Sequence, residues 1–139
     1  MRTYMKKLFA TAVAACVTSS AAFAAPLSGN QGNYLFLIVY LTTMLVDHDC
    51  RQMDYSLNKN GLQRIQDELG VDDRTKLAVV AAAQLVSERE YNRSDLIPEV
   101  TKLVQVTLMW LSQEKDEPDF CKRFGDPLIK LGTMQKAHQ

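Results

Sequence analysis

Between Tyr34 and Val46 the chain reads YLFLIVYLTTMLV, with Thr42 and Thr43 its only polar breaks. Such a run is long for a strand and short for a membrane span. Its β-branched and aromatic residues suit either a strand or a helix. No partner strand is evident elsewhere in the sequence, which favours the helix. A helix apolar on nearly all sides belongs at the centre of a domain, and Asn33 is its candidate N-cap.

Periodicity then sets out the remaining elements. Asn58-Lys59-Asn60-Gly61 is turn chemistry. Asn60 with Gln63 fits a capping box, after which Leu62, Ile65 and Leu69 repeat at helical spacing until Gly70. Asp72 or Asp73 can cap the next helix, whose stretch TKLAVVAAAQLVSEREY (75–91) is rich in helix formers. Its predicted inner face holds Leu77, Val80, Ala81, Gln84 and Leu85, and three successive alanines would admit a close neighbour. Ser94 is a further N-cap, with Pro98 tolerable in the first turn and Val100, Leu103, Val104, Thr107, Leu108 and Leu111 at helical spacing after it. The charged segment 113–119 contains Pro118 and is expected to be exposed. A last helix starts at Phe120, is interrupted at Gly125-Asp126-Pro127, and leaves 132–139 as a frayed tail. The fold class predicted is all-α, an irregular bundle or array of four to six helices.

The N-terminal 24 residues follow another pattern. Arg2, Lys6 and Lys7 precede an apolar run from Leu8 to Val17, and Ala22-Phe23-Ala24 forms a small-residue site before Ala25-Pro26. A basic segment, a short apolar core and an A-x-A site make a secretory signal peptide. The apolar core is about half of the roughly 20 residues that span a bilayer, so cleavage is expected and a membrane span is not. Val13-Ala14-Ala15-Cys16 offers a second route, because it resembles a lipobox, in which Cys16 would carry a lipid anchor. Cleavage after Ala24 leaves 25–139 as a single helical domain, with 25–33 as a flexible lead-in.

Export changes charge and cysteine arithmetic together. The full chain balances 16 basic against 16 acidic residues, but cleavage removes three of the basic ones and leaves a net charge of −3. That balance gives no basic face for nucleic acid. Cys16 also leaves, so Cys50 and Cys121 remain and are expected to form one disulfide in an oxidising compartment. Closing a loop of about seventy residues would contribute about 4 kcal/mol in the chain-entropy model.

Chemistry-bearing constellations are sparse. His48 lies between Asp47 and Asp49, but a zinc site needs more ligands and the other histidine is His138 in the tail, so neither a metal site nor a cofactor is expected. No G-x-S-x-G or phosphate-loop motif occurs, and no catalytic residue is predicted. Trp110, among Leu108, Met109 and Leu111, reads as core. What remains is surface recognition. Glu88, Arg89, Tyr91 and Arg93 gather at an inter-helix break, and Tyr and Arg are the types favoured at protein interfaces.

In size, export signal and cysteine number the mature chain is similar to two groups of small periplasmic helical proteins. One comprises immunity proteins that block cell-wall-degrading effectors; the other comprises acid-stress chaperones. The resemblance carries no functional residue across. The absence of catalytic groups, the stapled scaffold and the mild acidic excess point instead to a non-enzymatic periplasmic protein-binding module, most concretely an immunity-type inhibitor, with another protein as partner and a homodimer left open. A holdase-type chaperone is the alternative. A small exported hydrolase, built around His48, comes third.

Overall fold

The computed structural model describes residues 31–137. The proposed signal segment, Cys16 and His138 lie outside the described residues. Five α-helices carry the architecture: α1 (Gln31–Asp49), α2 (Lys59–Glu68), α3 (Asp73–Val86), α4 (Pro98–Glu114) and α5 (Phe120–Leu131). Short 3-10 turns lie at Arg51–Met53 and Arg93–Asp95. Two three-residue strands, β1 (Tyr55–Leu57) and β2 (Met134–Lys136), complete it. The fold is thus all-α with one small sheet.

The apolar run is helical and central. Every residue from Leu35 to Thr43 is buried, and α4, α5, β1, α3 and α2 all pack around α1. That encirclement explains why α1 has no polar face. Its two threonines are satisfied in the dry interior. The Thr42 hydroxyl donates to the Ile38 carbonyl at 2.7 Å, and Thr43 shares a 3.0 Å bond with Thr133. Residues 31–33, expected to belong to a flexible lead-in, are helical, so Asn33 lies inside α1 and is not its N-cap; the rest of that lead-in lies outside the described residues.

α3 packs mainly against α4. Its buried residues are Ala78, Val79, Ala81 and Ala82, while Leu77 is turned outward. The inner face is therefore rotated from the one expected, because small alanines allow α4 to come close where leucines would hold it off. Asp72 caps α3 by accepting the Thr75 N–H at 2.8 Å. For α2 the cap is Asn58, not Asn60, and Ser94 falls in a 3-10 turn instead of opening α4.

The tail expected to fray is ordered through Ala137. β2 pairs antiparallel with β1, Tyr55 opposite Lys136 and Leu57 opposite Met134. Bonds from Asn58 N to Thr133 O and from Ala137 N to Asp54 O, both 2.9 Å, extend the ladder at each end. Burial drives this: Thr133 and Met134 are almost fully enclosed. Gly61 makes the approach feasible, since a Cβ there would lie 1.7 Å from the Gly132 carbonyl oxygen.

α5 runs unbroken through the expected interruption. Gly125 faces the ring of Tyr55, where a Cβ would come within 2.5 Å of Cε1. The Tyr55 hydroxyl donates to Asp126 at 2.7 Å. The Gly-Asp pair is therefore the seat of a buried tyrosine and not a break.

Candidate functional site

Cys50 and Cys121 are joined, with Cα atoms 5.7 Å apart. The bond brings together the end of α1, the end of α4 and the start of α5. Asp119, in the left-handed region at φ 61°, turns the chain into α5; aspartate is among the few side chains that tolerate it. Lys115 pairs with Asp49 at 3.9 Å across the junction.

Over this junction lies an open groove of about 470 Å³. Phe120 and Cys121 form its apolar side, together with Met53, which is 52% exposed. Asp49, Asp116, Glu117 and Asp119 line it against two ammonium groups, Lys115 and Lys122, a local excess of two negative charges. Beside it on α4, Glu114 shares the buried face of Val100, Val104 and Leu111. Glu114 is 1% exposed, and neither carboxylate oxygen meets a hydrogen-bond donor among the described residues. The segment 113–119, expected to be exposed throughout, therefore turns one of its acids inward. On the far side of Phe120, the Phe120 and Phe124 rings lie 4.9 Å apart, and Trp110, half-buried, meets Phe124 edge-on at 6.0 Å.

The predicted interface residues gather in one loop at the other end of α4. Glu88 is exposed with φ 58°, Arg89 and Arg93 are exposed, and Tyr91 is half-buried. The loop is closed by local bonds: Arg89 N to Gln84 O at 2.8 Å, and Ser94 N and Oγ to Asn92 Oδ1 at 3.1 and 2.7 Å. Burial pushes the Tyr40 hydroxyl above its ordinary pKa, and the Arg89 charge partly offsets that rise. Along 17 residues of α4 the loop and the groove are about 25 Å apart. They cannot form one small site.

His48 stands outside both regions. Its side chain is 85% exposed, with Nδ1 2.6 Å from Asp49 Oδ1. The neighbouring Asp47 is committed to structure, accepting the Leu57 N–H at 2.9 Å and pairing with Arg51 at 3.2 Å. A shallower groove of about 390 Å³ lies there between Asp47, Arg51, Tyr55 and Lys59. His48 lines neither groove. Among the described residues no three His, Cys, Asp or Glu side chains converge as a metal-binding set. No helix of the described residues is long and apolar enough to cross a membrane.

Comparison with protein-family models, with curated proteins and with solved structures finds no match. The class that fold and site define is an all-α domain with one internal disulfide. Sequence reasoning put its interface candidates in the loop and did not foresee the groove. Its signal was present in the cysteine pair, since joining Cys50 to Cys121 necessarily lays Asp49 and Met53 beside the acidic 113–119 segment.

Proposed function

We propose that the protein is an exported, non-enzymatic protein-binding module of the periplasm, with an immunity-type inhibitor of a cell-wall-degrading enzyme as its most concrete form. One observation supports this above the rest. The groove at the Cys50–Cys121 junction sets the exposed Met53 and the partly exposed Cys121, floored by the buried Phe120, inside a rim of four carboxylates and two ammoniums. Such a surface complements a partner with apolar residues framed by basic ones, and its net charge would steer encounter with a basic cleft. The disulfide fixes the groove before binding, which lowers the ordering cost of association. The N-terminal signal pattern and the disulfide are both those of an exported chain.

The test is capture of a partner from periplasmic extract by the tagged, exported protein, repeated with a Met53→Lys/Asp116→Lys variant. Both side chains are exposed and neither belongs to the hydrophobic core. The expected result is a partner enzyme that is inhibited by the wild type and neither captured nor inhibited by the variant. Equal capture by both forms would overturn the assignment to the groove.

A second reading, a holdase-type chaperone for acid stress, is favoured by Val106 and Met109. They stand 57% and 64% exposed on the outer face of α4. It requires dissociation or partial unfolding near pH 3. Scattering profiles that coincide at pH 3 and pH 7 would remove it.

A further inference from the structure

The two sulfurs of the disulfide live in different surroundings. Cys50 is 0% exposed and belongs to the core around α1. Cys121 is partly exposed and lines the groove beside Met53, Lys115 and Lys122. Thiol–disulfide exchange needs a thiolate to approach the attacked sulfur from outside, along the axis of the bond that breaks, so access decides which sulfur is attacked. We infer that Cys121 is a thiol-exchange site, at which an incoming thiol is captured as a mixed disulfide within the groove. This inference does not depend on the groove also binding a protein.

The step balances without a further reagent. A thiolate RS⁻ forms a bond to Cys121 Sγ, the Cys121–Cys50 bond breaks, and its electron pair leaves on Cys50 Sγ, which takes a proton from solvent. The incoming sulfur is oxidised and Cys50 reduced. One effect opposes this order. Cys121 is the second residue of α5, and a helix N-terminus stabilises a thiolate, which would make Cys121 the better leaving group. Leaving from Cys121 requires attack on Cys50, whose sulfur no external thiol can reach while the fold is closed. Access therefore outweighs the dipole.

The groove also selects among thiols. Asp49, Asp116, Glu117 and Asp119 outnumber Lys115 and Lys122. A thiolate carrying a second negative charge is repelled, whereas one carrying an ammonium is not. The chemical class favoured is thus a thiol of neutral or positive charge, small or borne on a basic peptide.

The test uses the oxidised protein in its exported form, treated briefly with cysteamine or with 3-mercaptopropionate. Acid quenching, alkylation of the free thiol after denaturation and peptide mass analysis then locate the adduct. The adduct is expected on Cys121 in about tenfold or greater excess, with Cys50 alkylated. Added salt should raise the rate with 3-mercaptopropionate and leave that with cysteamine nearly unchanged. Equal labelling of the two cysteines would mean that exchange waits for unfolding, and an adduct mainly on Cys50 would reverse the assignment; either overturns the site. Matching salt responses would overturn the charge selection. Failure to capture a protein partner, with the adduct still on Cys121, would sink the binding proposal alone.

Discussion

At its C-terminal end α4 meets the Cys50–Cys121 bond, the Lys115–Asp49 pair and Phe120; at its N-terminal end it emerges from the 88–95 loop. The first end belongs to a framework of contacts between distant parts of the chain. Cys50 and Cys121 are 71 residues apart, Tyr55 and Asp126 likewise 71, Arg64 and the Leu131 carbonyl 67, Thr43 and Thr133 90. The second end is closed by bonds that reach at most five residues, such as Arg89 N to Gln84 O. The difference teaches where rigidity comes from here. Long-range links cost loop-closure entropy when formed and fix elements against one another; local links shape a turn without anchoring it.

Removing the disulfide is the severest way to break the comparison. Cys50→Ala with Cys121→Ala, or reduction alone, is expected to cost about 4 kcal/mol of unfolding free energy, read from urea midpoints. Native-state hydrogen exchange should then show faster opening at the end of α1 and the start of α5. Little change is expected in the 88–95 loop, whose opening is already local. Uniform acceleration across both ends would show that they are not separate units.

Alkaline titration probes the same framework through Tyr55. Its burial, then its hydrogen bond to Asp126 and then the Asp126 charge push its pKa from 10 up to about 12. Between those values the unfolded chain has lost a proton that the folded chain keeps, so the stabilisation is complete below pH 10 and is lost as pH rises to about 12. Solvent screening at the partly buried hydroxyl holds the loss to about 1–2 kcal/mol. Tyr55→Phe should flatten that slope, leaving the smaller contribution of Tyr40, raised in the same direction. An unaltered slope in the variant would mean that Tyr55 is not held protonated by this contact.

What was legible follows the same division between near and far. The helical run of α1, the alanine-rich α3 and Pro98 in the first turn of α4 are read from neighbours within a few residues. The β1–β2 pair was not legible, since three-residue strands carry almost no alternation and their partners lie about eighty residues apart. Gly125-Asp126 looks like punctuation until Tyr55 is placed against it. The acidic rim of the groove read as a solvated linker for the same reason. The loop residues Arg89 and Tyr91 were visible because sequence adjacency alone assembles them.

Glu114 gives a smaller and sharper test at the stapled end. A buried carboxylate that meets no hydrogen-bond donor among the described residues is costly relative to an isosteric neutral group. Glu114→Gln is therefore expected to leave stability unchanged or raise it by about 1 kcal/mol. A fall of more than about 1 kcal/mol would reveal a strong partner for the carboxylate.

The smallest effects on folding belong to the loop, and they carry the last distinction. Arg89→Ala and Arg93→Ala remove exposed side chains and should each shift stability by no more than about 0.5 kcal/mol. Truncating Tyr91, half-buried, should cost somewhat more. Because these variants keep the stapled end intact, they separate the two candidate surfaces cleanly. If the groove is the contact surface, partner capture survives all three and is lost with Met53→Lys/Asp116→Lys. If capture instead fails with Arg89→Ala while the folded state is unchanged, the partner reads the locally built end. Recognition would then have settled on a surface ordered mainly by its own turn, and binding would carry the cost of ordering it.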